Sequence, residues 1–374
     1  MSRTAFLISC SDHYHHRMYL WDRCLQAKGY TTRYITSNFD HTTKQPFTCS
    51  VVGSVQIPVR PYRKNLSFDR ILSHRQFAKA VKEYLDEHQP KVVVALLPPN
   101  FLAHYLSGYK KAHPDTILIF DIFDLWPETF PSGRVKKLLA PVFSVWAGLR
   151  DRNLSAADHI TTECDLFRQK LALSDDTAST IHLCAPAVTV TSQPQLPEDR
   201  LSLCYLGAIN NVIGITEISG LLKQISAQRP VTLHIIGSGE RQQEFIDSAR
   251  LTGAEVIFHG PVYDPADKMQ ILDRCHFGLN IMKGSVCVGL TMKSVDYFRF
   301  GLPIINNIPA DTGRLIGDFD SGIPLDDNCA QALISVTNER CLKMRANAGK
   351  LFFAHFTENV AQEKLNGILD QIID

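Results

Sequence analysis

Strand-like and helix-like segments alternate along the chain, and this alternation constrains its fold more than any other feature. Short runs rich in β-branched residues are separated by longer segments with apolar residues at helical spacing, such as 17–30, 69–89 and 101–112. Such alternation predicts a parallel α/β sheet. The strands predicted in the first half are TAFLISC (4–10), TTRYITS (31–37), KVVVALLPP (91–99), TILIFDIFD (116–124) and HITTEC (159–164).

The same pattern restarts near residue 200, after the linker-like stretch TVTSQPQLPEDR (188–199). A chain of 374 residues is too long for one ordinary core, so the restart indicates a second domain. We therefore predict two doubly wound α/β domains, 1–190 and 200–355, and a C-terminal helix at 356–374 that could pack back on the first. The strands predicted in the second half are LSLCYLG (201–207), VTLHIIGSG (231–239), VIFHG (256–260), FGLNIM (277–282) and LPIINN (302–307).

Composition excludes several classes of partner and location. The net charge is only +1, so no strong basic field indicates a nucleic-acid partner. The ten cysteines lack a C-x-x-C pair or zinc-like spacing with histidine, which favours reduced thiols. The first apolar run turns polar too soon for a signal peptide, and no run is long enough to span a bilayer. The expected location is the cytoplasm.

Glycines mark the predicted strand ends of the second domain. Three such segments, YLGAINNVIGI (205–215), IIGSGERQQEF (235–245) and VIFHGPVY (256–263), precede SVCVGLTMKSVDYFRFGLPIIN (285–306). Each glycine alone is compatible with an ordinary βα turn. Open α/β sheets bind ligands beyond the carboxyl ends of their strands, and two facing sheets would leave a cleft for one. Four such segments in this order are stronger evidence for a ligand site than any single glycine.

In this order, the segments resemble the GT-B glycosyltransferases, in particular family 4. The stretch GLTMKSVDYFRFGLPIIN resembles the family's donor-site element, two glutamates eight positions apart followed by Gly-x-Pro. Aligned on Gly301 and Pro303, the second glutamate corresponds to Asp296 and the first to Val288. The resemblance implies two Rossmann-like domains facing across a cleft. It also implies a hexosyl-type transfer, with retention, from a nucleotide diphosphate donor such as a UDP-sugar. The acceptor would be a hydroxyl of a glycan or lipid-linked glycan in capsule or exopolysaccharide biosynthesis.

The predicted donor site centres on the start of the helix after Leu290. Backbone N–H groups near Thr291 and Met292 can receive a diphosphate, and Lys293 adds a positive charge. Asp296 lies one turn further on and, by the resemblance, accepts the ribose hydroxyls. The alternative is a solvated Lys–Asp pair on a helix surface. No metal or other cofactor is expected. The other predicted donor-binding residues are Gly207, Asn210, Asn211, Gly237, Gly239, Arg241, Val262 and Tyr263.

The chain departs from the family pattern at two cations. The family has Gly-Arg-Leu with a lysine five residues after the arginine, where this chain has Ala208 and Ile213. Lys293 and Arg241 would therefore have to carry the positive charge, with Asn210 and Asn211 as neutral donors.

In the first domain, FDIFDLWPETFP (120–131) resembles a DLWPE element of family 4 branches that build polysaccharides. Asp124 and Glu128 are the candidates for orienting an acceptor hydroxyl or steadying charge. The alternative is that Asp124 caps the following segment and the tryptophan packs it. In SDHYHHR (11–17), three residues are predicted on the acceptor side, without a metal: His13, His16 and Arg17.

A basic amphipathic stretch, RVKKLLAPVFSVWAGLRDR (134–152), suits either an anionic membrane surface or packing on a sheet. The first possibility predicts peripheral contact with the inner face of a membrane, lost when Lys136 and Lys137 are replaced by glutamate. Two alternatives to a transferase also fit the sequence. One is a non-catalytic GT-B subunit that binds a partner transferase. The other, less favoured, is a nucleotide-sugar epimerase, which requires more acid/base carboxylates than the sequence places near the donor.

Overall fold

The computed structural model describes residues 3–11, 15–130, 138–189 and 193–373. The chain divides into two compact units. Unit 1 comprises Met1–Ile181 together with Ala361–Asp374, and unit 2 comprises His182–Val360. The boundary between the units thus lies at residues 181 and 182, within the predicted first domain, and the end of the chain is part of unit 1.

Unit 1 is built on a parallel sheet of seven strands. These are β1 (Thr4–Ile8), β2 (Thr31–Ser37), β5 (Val55–Ile57), β6 (Val92–Leu97), β7 (Ile117–Ile122), β8 (His159–Thr162) and β9 (Ala178–Thr180). Their order is β5-β2-β1-β6-β7-β8-β9. All six residues of β6 are apolar and buried, as expected for a parallel strand covered on both faces. A short antiparallel hairpin pairs β3 (Phe39–Asp40) with β4 (Gln45–Pro46).

The helices of unit 1 begin and end at local sequence signals. In α2, the Ser67 hydroxyl accepts a hydrogen bond from the Arg70 N–H and caps the start. The helix stops at Gln89, which adopts a left-handed conformation directly before Pro90. The unit 1 helices in this part of the chain are α1 (His15–Ala27), α2 (Phe68–His88), α3 (Asn100–Ala112), α4 (Ala140–Asp151) and α5 (Asp165–Lys170).

Unit 2 contains a parallel sheet of six strands. They are β10 (Leu201–Leu206), β11 (Val231–Ile236), β12 (Glu255–Gly260), β13 (Phe277–Asn280), β14 (Ile304–Asn306) and β15 (Gly322–Pro324). The order β12-β11-β10-β13-β14-β15 corresponds to 3-2-1-4-5-6 within the unit. The chain reverses direction across the sheet between β10 and β13, and ligands bind at such a point in open α/β sheets. The prediction of two doubly wound α/β sheets is confirmed.

Helices connect the strands of unit 2 and bury apolar faces against them. Ile218, Leu222 and Ile225, for example, belong to one buried cluster with residues of β10 and β11. Three helices of this unit, at 311–318, 329–335 and 338–355, are not predicted from the sequence. The helices are α6 (Ile215–Ser226), α7 (Gln242–Arg250), α8 (Pro265–Leu272), α9 (Met292–Arg299), α10 (Asp311–Asp318), α11 (Cys329–Ser335) and α12 (Asn338–His355).

The last helix, α13 (Glu358–Ile372), carries the chain end into unit 1. Its buried side chains are Ala361, Leu365, Ile368 and Leu369, which lie on one helical face. The Cys24 thiol of α1 donates to the Gln362 carbonyl, and Lys28, directly after α1, forms an ion pair with Asp370. Among the helices that the structure describes, none is long and apolar enough to cross a membrane.

Candidate functional site

The carboxyl ends of β10 and β13 form the first candidate site, in unit 2. The two strands pair at Leu203–Phe277 and Cys204–Gly278. Beyond these paired residues, the Tyr297 side chain forms hydrogen bonds with β10 that a neighbouring strand would otherwise form. Its hydroxyl accepts a hydrogen bond from the Leu206 N–H (2.7 Å) and donates to the Cys204 carbonyl (3.0 Å). Gly278 leaves room for this ring, since a Cβ there would lie 2.6 Å from it. Tyr297 thus fixes the end of β10 relative to α9.

A buried polar network holds the start of α9 against the sheet. The Thr291 hydroxyl accepts from the Ser294 N–H (3.1 Å) and donates to the Asn280 side-chain oxygen (3.0 Å). Asn280 in turn donates to the Asn306 side chain (2.9 Å), and both asparagines are buried. The free N–H groups of the first helical turn are therefore presented at a fixed position, where they can receive an anion.

Lys293 lies in the first turn of α9 and is the unbalanced charge of this site. Its ammonium lies 3.9 Å from the centre of the Tyr205 ring, and it forms no hydrogen bond or ion pair with any residue that the structure describes. Burial lowers the pKa of Lys293 to about 7. Gly207, with φ at 115°, lies beside it: a Cβ at Gly207 would be 3.6 Å from the Lys293 Cε atom. The arrangement suits a negatively charged ligand at the end of β10.

Asp296, the predicted ribose ligand, lies one turn beyond Lys293 but faces other cations. Its carboxylate lies 3.5 Å from the Lys268 ammonium and 3.7 Å from the Arg299 guanidinium. Its side chain keeps 27% of its surface exposed, so its oxygens are accessible to a ligand. Lys293 and Asp296 do not pair with each other, which separates them from an ordinary surface ion pair.

The glycines of the GSG segment serve packing of the protein on itself. A Cβ at Gly237 would lie 2.0 Å from the Gly207 carbonyl oxygen, and one at Gly239 would lie 2.3 Å from that of Ile209. The Gly237 N–H also donates to the Gly260 carbonyl (2.8 Å), so it cannot donate to a phosphate at the same time. The close approach of two loops thus explains the glycine pattern, and the donor-binding role of Gly237 and Gly239 stays a prediction.

The other predicted donors to the diphosphate are held by acidic neighbours. Arg241 donates to Glu244 (Nε–Oε2 2.7 Å), one turn on in the same helix. Asn211 donates to Glu240 (2.5 Å), while the Asn210 side-chain oxygen accepts from the Val212 N–H (3.1 Å). These contacts are on the surface, and contacts with a ligand can replace them. Lys293 has no such contact with any described residue and is therefore the cation best placed to bind the diphosphate.

Three further predicted donor residues have side chains with substantial exposure. Val262 and Tyr263 lie between β12 and α8, and 87% of the Tyr263 surface is exposed. Met292, the first residue of α9, is 47% exposed. At Ile213, where the family has a lysine, the side chain is buried in the core of unit 2. A cation could not occupy that position without losing its hydration.

A second candidate site lies in unit 1, at the carboxyl ends of β1, β6 and β7. Asp124 directly follows β7 and accepts a hydrogen bond from the Thr129 hydroxyl (2.7 Å). Burial raises the pKa of the Asp124 carboxyl above its usual range. Asp124 lines a cavity of about 60 Å³, together with Ser9, Cys10, Ser11, His41, Tyr62, Arg70, His74, Pro98 and Phe123. The structure therefore gives Asp124 access to a small ligand.

Glu128 and Arg17 form ion pairs with other residues of unit 1, and their catalytic and acceptor-side roles stay predictions. Glu128 accepts two hydrogen bonds from the fully buried Arg150 (2.7 and 3.2 Å). Arg17 donates to Asp121 (2.8 Å) and to the Ile181 carbonyl (2.7 Å). A buried guanidinium without its carboxylate would be strongly destabilising, so these pairs are committed to the fold. His16 is exposed, and His13 lies outside the described residues.

Several site residues were missed by the sequence reading. Arg70 and His74 lie in α2 and line the unit 1 cavity, whereas Tyr205 and Asn280 belong to unit 2 strands. A polar asparagine ending the apolar strand FGLN was the one available signal, since buried amides require partners. No comparable pattern marks Arg70, because it reads as an ordinary surface residue of an amphipathic helix.

Comparison of the whole structure with solved structures gives the following likenesses. Sucrose-phosphate synthase from Thermosynechococcus elongatus has a TM-score of 0.72 at 13% identity, covering 99% of this chain and 98% of that one. The lipopolysaccharide outer core galactosyltransferase WaaB in its apo form has a TM-score of 0.68 at 13% identity, covering 98% and 99%. Anabaena HepE, solved in complex with UDP, has a TM-score of 0.66 at 12% identity, covering 99% and 100%.

No family model matches the sequence, and no curated protein sequence does either. At these identities the structural likeness shows the fold and leaves the activity to be argued from the site. The likeness covers nearly the full length of both chains in each comparison, and the neighbours are GT-B glycosyltransferases. The chain therefore has the GT-B fold, as predicted from its sequence.

Proposed function

We propose that the protein is a glycosyltransferase that moves a sugar from a nucleotide diphosphate donor, most simply a UDP-sugar, to an acceptor hydroxyl. The observation that carries this proposal is the unbalanced Lys293 at the start of α9, beside Gly207. An anion with two phosphates would meet both the lysine and the free N–H groups of the helix.

In the proposed reaction, the bond between the sugar C1 and the diphosphate oxygen breaks, and a new bond forms between C1 and the acceptor oxygen. Negative charge develops on the leaving diphosphate, where Lys293 and the α9 N–H groups can stabilise it. The acceptor hydroxyl loses its proton to a base, and Asp124 in unit 1 is the candidate, because its carboxylate lines a cavity. We include no metal in this scheme, since the protein's own groups oppose the diphosphate charge.

The finer features of the reaction are also proposals. One structural neighbour was solved with UDP and with UDP-glucose, and another is a galactosyltransferase, which supports a UDP donor and a hexosyl group. WaaG, a glycosyltransferase involved in lipopolysaccharide biosynthesis, supports a glycan or lipid-linked acceptor. Retention of anomeric configuration rests on the family 4 resemblance alone.

Calorimetry on two variants tests the donor site. Lys293→Ala should weaken UDP binding about ten- to a hundredfold, because a charge-assisted hydrogen bond contributes about 1.5–3 kcal/mol. It should leave uridine binding unchanged, since uridine has no phosphate. Asp296→Asn should weaken uridine and UDP equally, because both share the ribose. Lys223→Ala, at an exposed position of α6, is the matched control. Unchanged UDP affinity in Lys293→Ala would remove the basis of the proposal.

A non-catalytic GT-B subunit is the second candidate, and one observation favours it. Of the two acidic candidates in unit 1, Glu128 is committed to Arg150, and Val288 stands where the family has its first glutamate. Such a protein would bind UDP and the UDP-sugar with the same dependence on Lys293. It would show no turnover with any acceptor, even at saturating donor. Release of UDP with a pooled lipid-linked acceptor decides between the two.

A further inference from the structure

Arg70, in the first turn of α2, forms no salt bridge with any residue that the structure describes. Its guanidinium donates to the Asn65 carbonyl (3.0 Å), and its carbon lies 5.0 Å from the centre of the Trp126 ring. The Tyr62 hydroxyl is its third neighbour. These three neighbours are uncharged, and the Asp124 carboxyl interacts with Arg70 only through space, without a salt bridge. Its Nε atom is buried without a hydrogen-bond partner among the residues that the structure describes.

His74, which also lines the unit 1 cavity, has a second unsatisfied group. His74, one turn along α2, is only 6% exposed, and its Nδ1 atom is buried without a partner in the described part of the chain. Burial and the nearby charges of Arg70, His41 and Lys44 lower the pKa of His74, so the ring is neutral and can donate one hydrogen bond. Buried polar atoms in folded proteins are normally paired, which indicates that a ligand or water completes both groups.

The cavity between these residues lies where an α/β unit binds ligands. It is lined by Ser9, Cys10 and Ser11 after β1, by Pro98 after β6, and by Phe123 and Asp124 after β7. The order of the sheet reverses between β1 and β6, as it does at the site in unit 2. With a volume of about 60 Å³, the cavity has room for about four or five water-sized groups. A phosphate or a carboxylate with a neighbouring hydroxyl is of that size.

We propose that this cavity binds an anionic group, a carboxylate or a phosphate, carried by the molecule that unit 1 recognises. The anion pairs with Arg70 and accepts from His74, while Asp124, which also lines the cavity, accepts from a hydroxyl of the same molecule. Identifying the molecule as the sugar acceptor rests on the proposed function. The existence of the anion site does not depend on it. The acceptor sugar would then be acidic or phosphorylated close to the hydroxyl that reacts.

Three probes that share one ring test the anion requirement by calorimetry on the full chain: glucuronate, glucose 6-phosphate and glucose. At least one anionic sugar should bind saturably, and glucose should not. The tighter of the two anionic sugars identifies carboxylate or phosphate as the recognised group. Equal binding of all three, or no saturable binding of either anionic sugar, would overturn the proposal.

Variants of α2 assign the binding to Arg70. Arg70→Gln should weaken the anionic sugar about ten- to a hundredfold, and Arg70→Lys, which keeps the charge but lacks the Nε donor, should weaken it less. Arg75→Gln, on the exposed face of the same helix, should have no effect. If the glutamine variant fails to fold, the lysine variant carries the test. Unchanged affinity in both would refute the assignment.

UDP binding separates this inference from the proposed function. All the residues of the anion site belong to unit 1, and the proposed donor site belongs to unit 2. Arg70→Gln should therefore keep the UDP affinity of the natural sequence, and tryptophan-detected unfolding of unit 1 in urea shows whether the variant is folded. Binding of anionic sugars without any binding of UDP would retain the anion site and reject the transferase.

Discussion

At the scale of single residues, charged side chains differ in whether another residue of the chain forms an ion pair with them. Arg17 and Arg150 are buried against Asp121 and Glu128, and their pairs contribute to the fold. Lys293 and Arg70 have aromatic rings and carbonyl groups as neighbours instead. A cation held without a carboxylate is costly unless a ligand supplies one. The unbalanced residues are therefore the ones to which we assign ligand binding.

The pH dependence of donor binding tests Lys293. Burial lowers its pKa to about 7, so in the free protein it is charged below that pH and neutral above it. A bound diphosphate favours the charged form, so binding above about pH 7 must take up a proton. The affinity for UDP-glucose should be constant from about pH 6 to 7 and then fall up to tenfold per pH unit. UDP-glucose is a better probe than UDP for this experiment, because the terminal phosphate of UDP itself titrates near pH 6.

Lys293→Met supplies the control for this experiment, because it keeps the length of the side chain and removes the titrating group. Its affinity for UDP-glucose should be weak and independent of pH between about pH 6 and 9. If the variant kept the pH dependence of the natural sequence, another group would be responsible.

Asp124 is expected to act on turnover. Asp124→Asn should lower kcat by roughly 10²–10⁴ and leave the affinity for UDP unchanged, because the donor site is in unit 2. The raised pKa of Asp124 adds a second signature: activity should fall as the pH decreases through that raised value, since the carboxyl becomes protonated. Thr129→Val, which removes its hydrogen-bond donor, should move this fall to higher pH. An asparagine variant with full activity would leave Asp124 a capping role only.

Residue types and spacing predicted the position of Lys293 but could not decide which charges are paired. The spacing Thr291–Lys293–Asp296 before Gly-x-Pro placed these side chains at a helix start, as the structure has them. Asp124 and Glu128 are equal candidates from the sequence alone, because their partners Thr129 and Arg150 are set by tertiary packing. Likewise, the sequence could not show that the glycines of GSG lie where two loops meet closely.

At the scale of helices and strands, apolar periodicity located most elements to within a few residues. β2 is found at Thr31–Ser37, and α2 at Phe68–His88, close to the predictions. The missed α12 buries Cys341, Met344, Ala348 and Phe352, so its helical spacing is present in the sequence and was overlooked. The short strands β5, β9 and β15 have three residues each, too few for a period to be recognised.

The helix α4 has features of both interpretations of the stretch 134–152: one face packs within unit 1, and the other leaves apolar side chains exposed. Phe143 and Trp146 are buried beside Trp126, as in an ordinary domain helix. On the other face, 49% of Val142 and 64% of Val145 are exposed, and Leu138 just before the helix is 80% exposed. An apolar groove of about 260 Å³ runs along this face, lined by Ile71, Phe101, Val142, Val145, Trp146 and Leu149. Lys136 and Lys137 lie outside the described residues.

We therefore propose contact with an anionic membrane surface through this face of α4. Val145→Asp should lower binding to anionic liposomes by about tenfold or more, because a buried valine contributes about 1.5 kcal/mol and the aspartate is repelled. Sedimentation with liposomes at low and high salt measures this. Leu342→Asp, at an apolar position of unit 2 that is 44% exposed, is the control. Equal loss in both variants would show that the effect is not specific to α4.

At the scale of the whole molecule, each unit has its own sheet, its own core and its own candidate site. The chain crosses from unit 1 to unit 2 at residues 181 and 182 and returns within α13. The three tryptophans, Trp21, Trp126 and Trp146, all belong to unit 1. Tryptophan fluorescence therefore reports on unit 1, whereas the proposed UDP binding would report on unit 2, so that the two units could be followed separately in one sample.

This separation allows a test of the role of α13. Leu369 is fully buried in unit 1, so Leu369→Ala removes apolar contacts and leaves a cavity. We expect it to lower the free energy of unfolding of unit 1 by about 2–5 kcal/mol. The tryptophan-detected midpoint in urea should then fall by about 1–2 M, given a slope of about 1–3 kcal/mol/M. UDP affinity without urea should stay unchanged, since the site in unit 2 lacks this helix. Gln371→Ala, exposed on the same helix, controls for the substitution itself. A midpoint unchanged in Leu369→Ala, or a matching loss of UDP affinity, would contradict the assignment of α13 to unit 1.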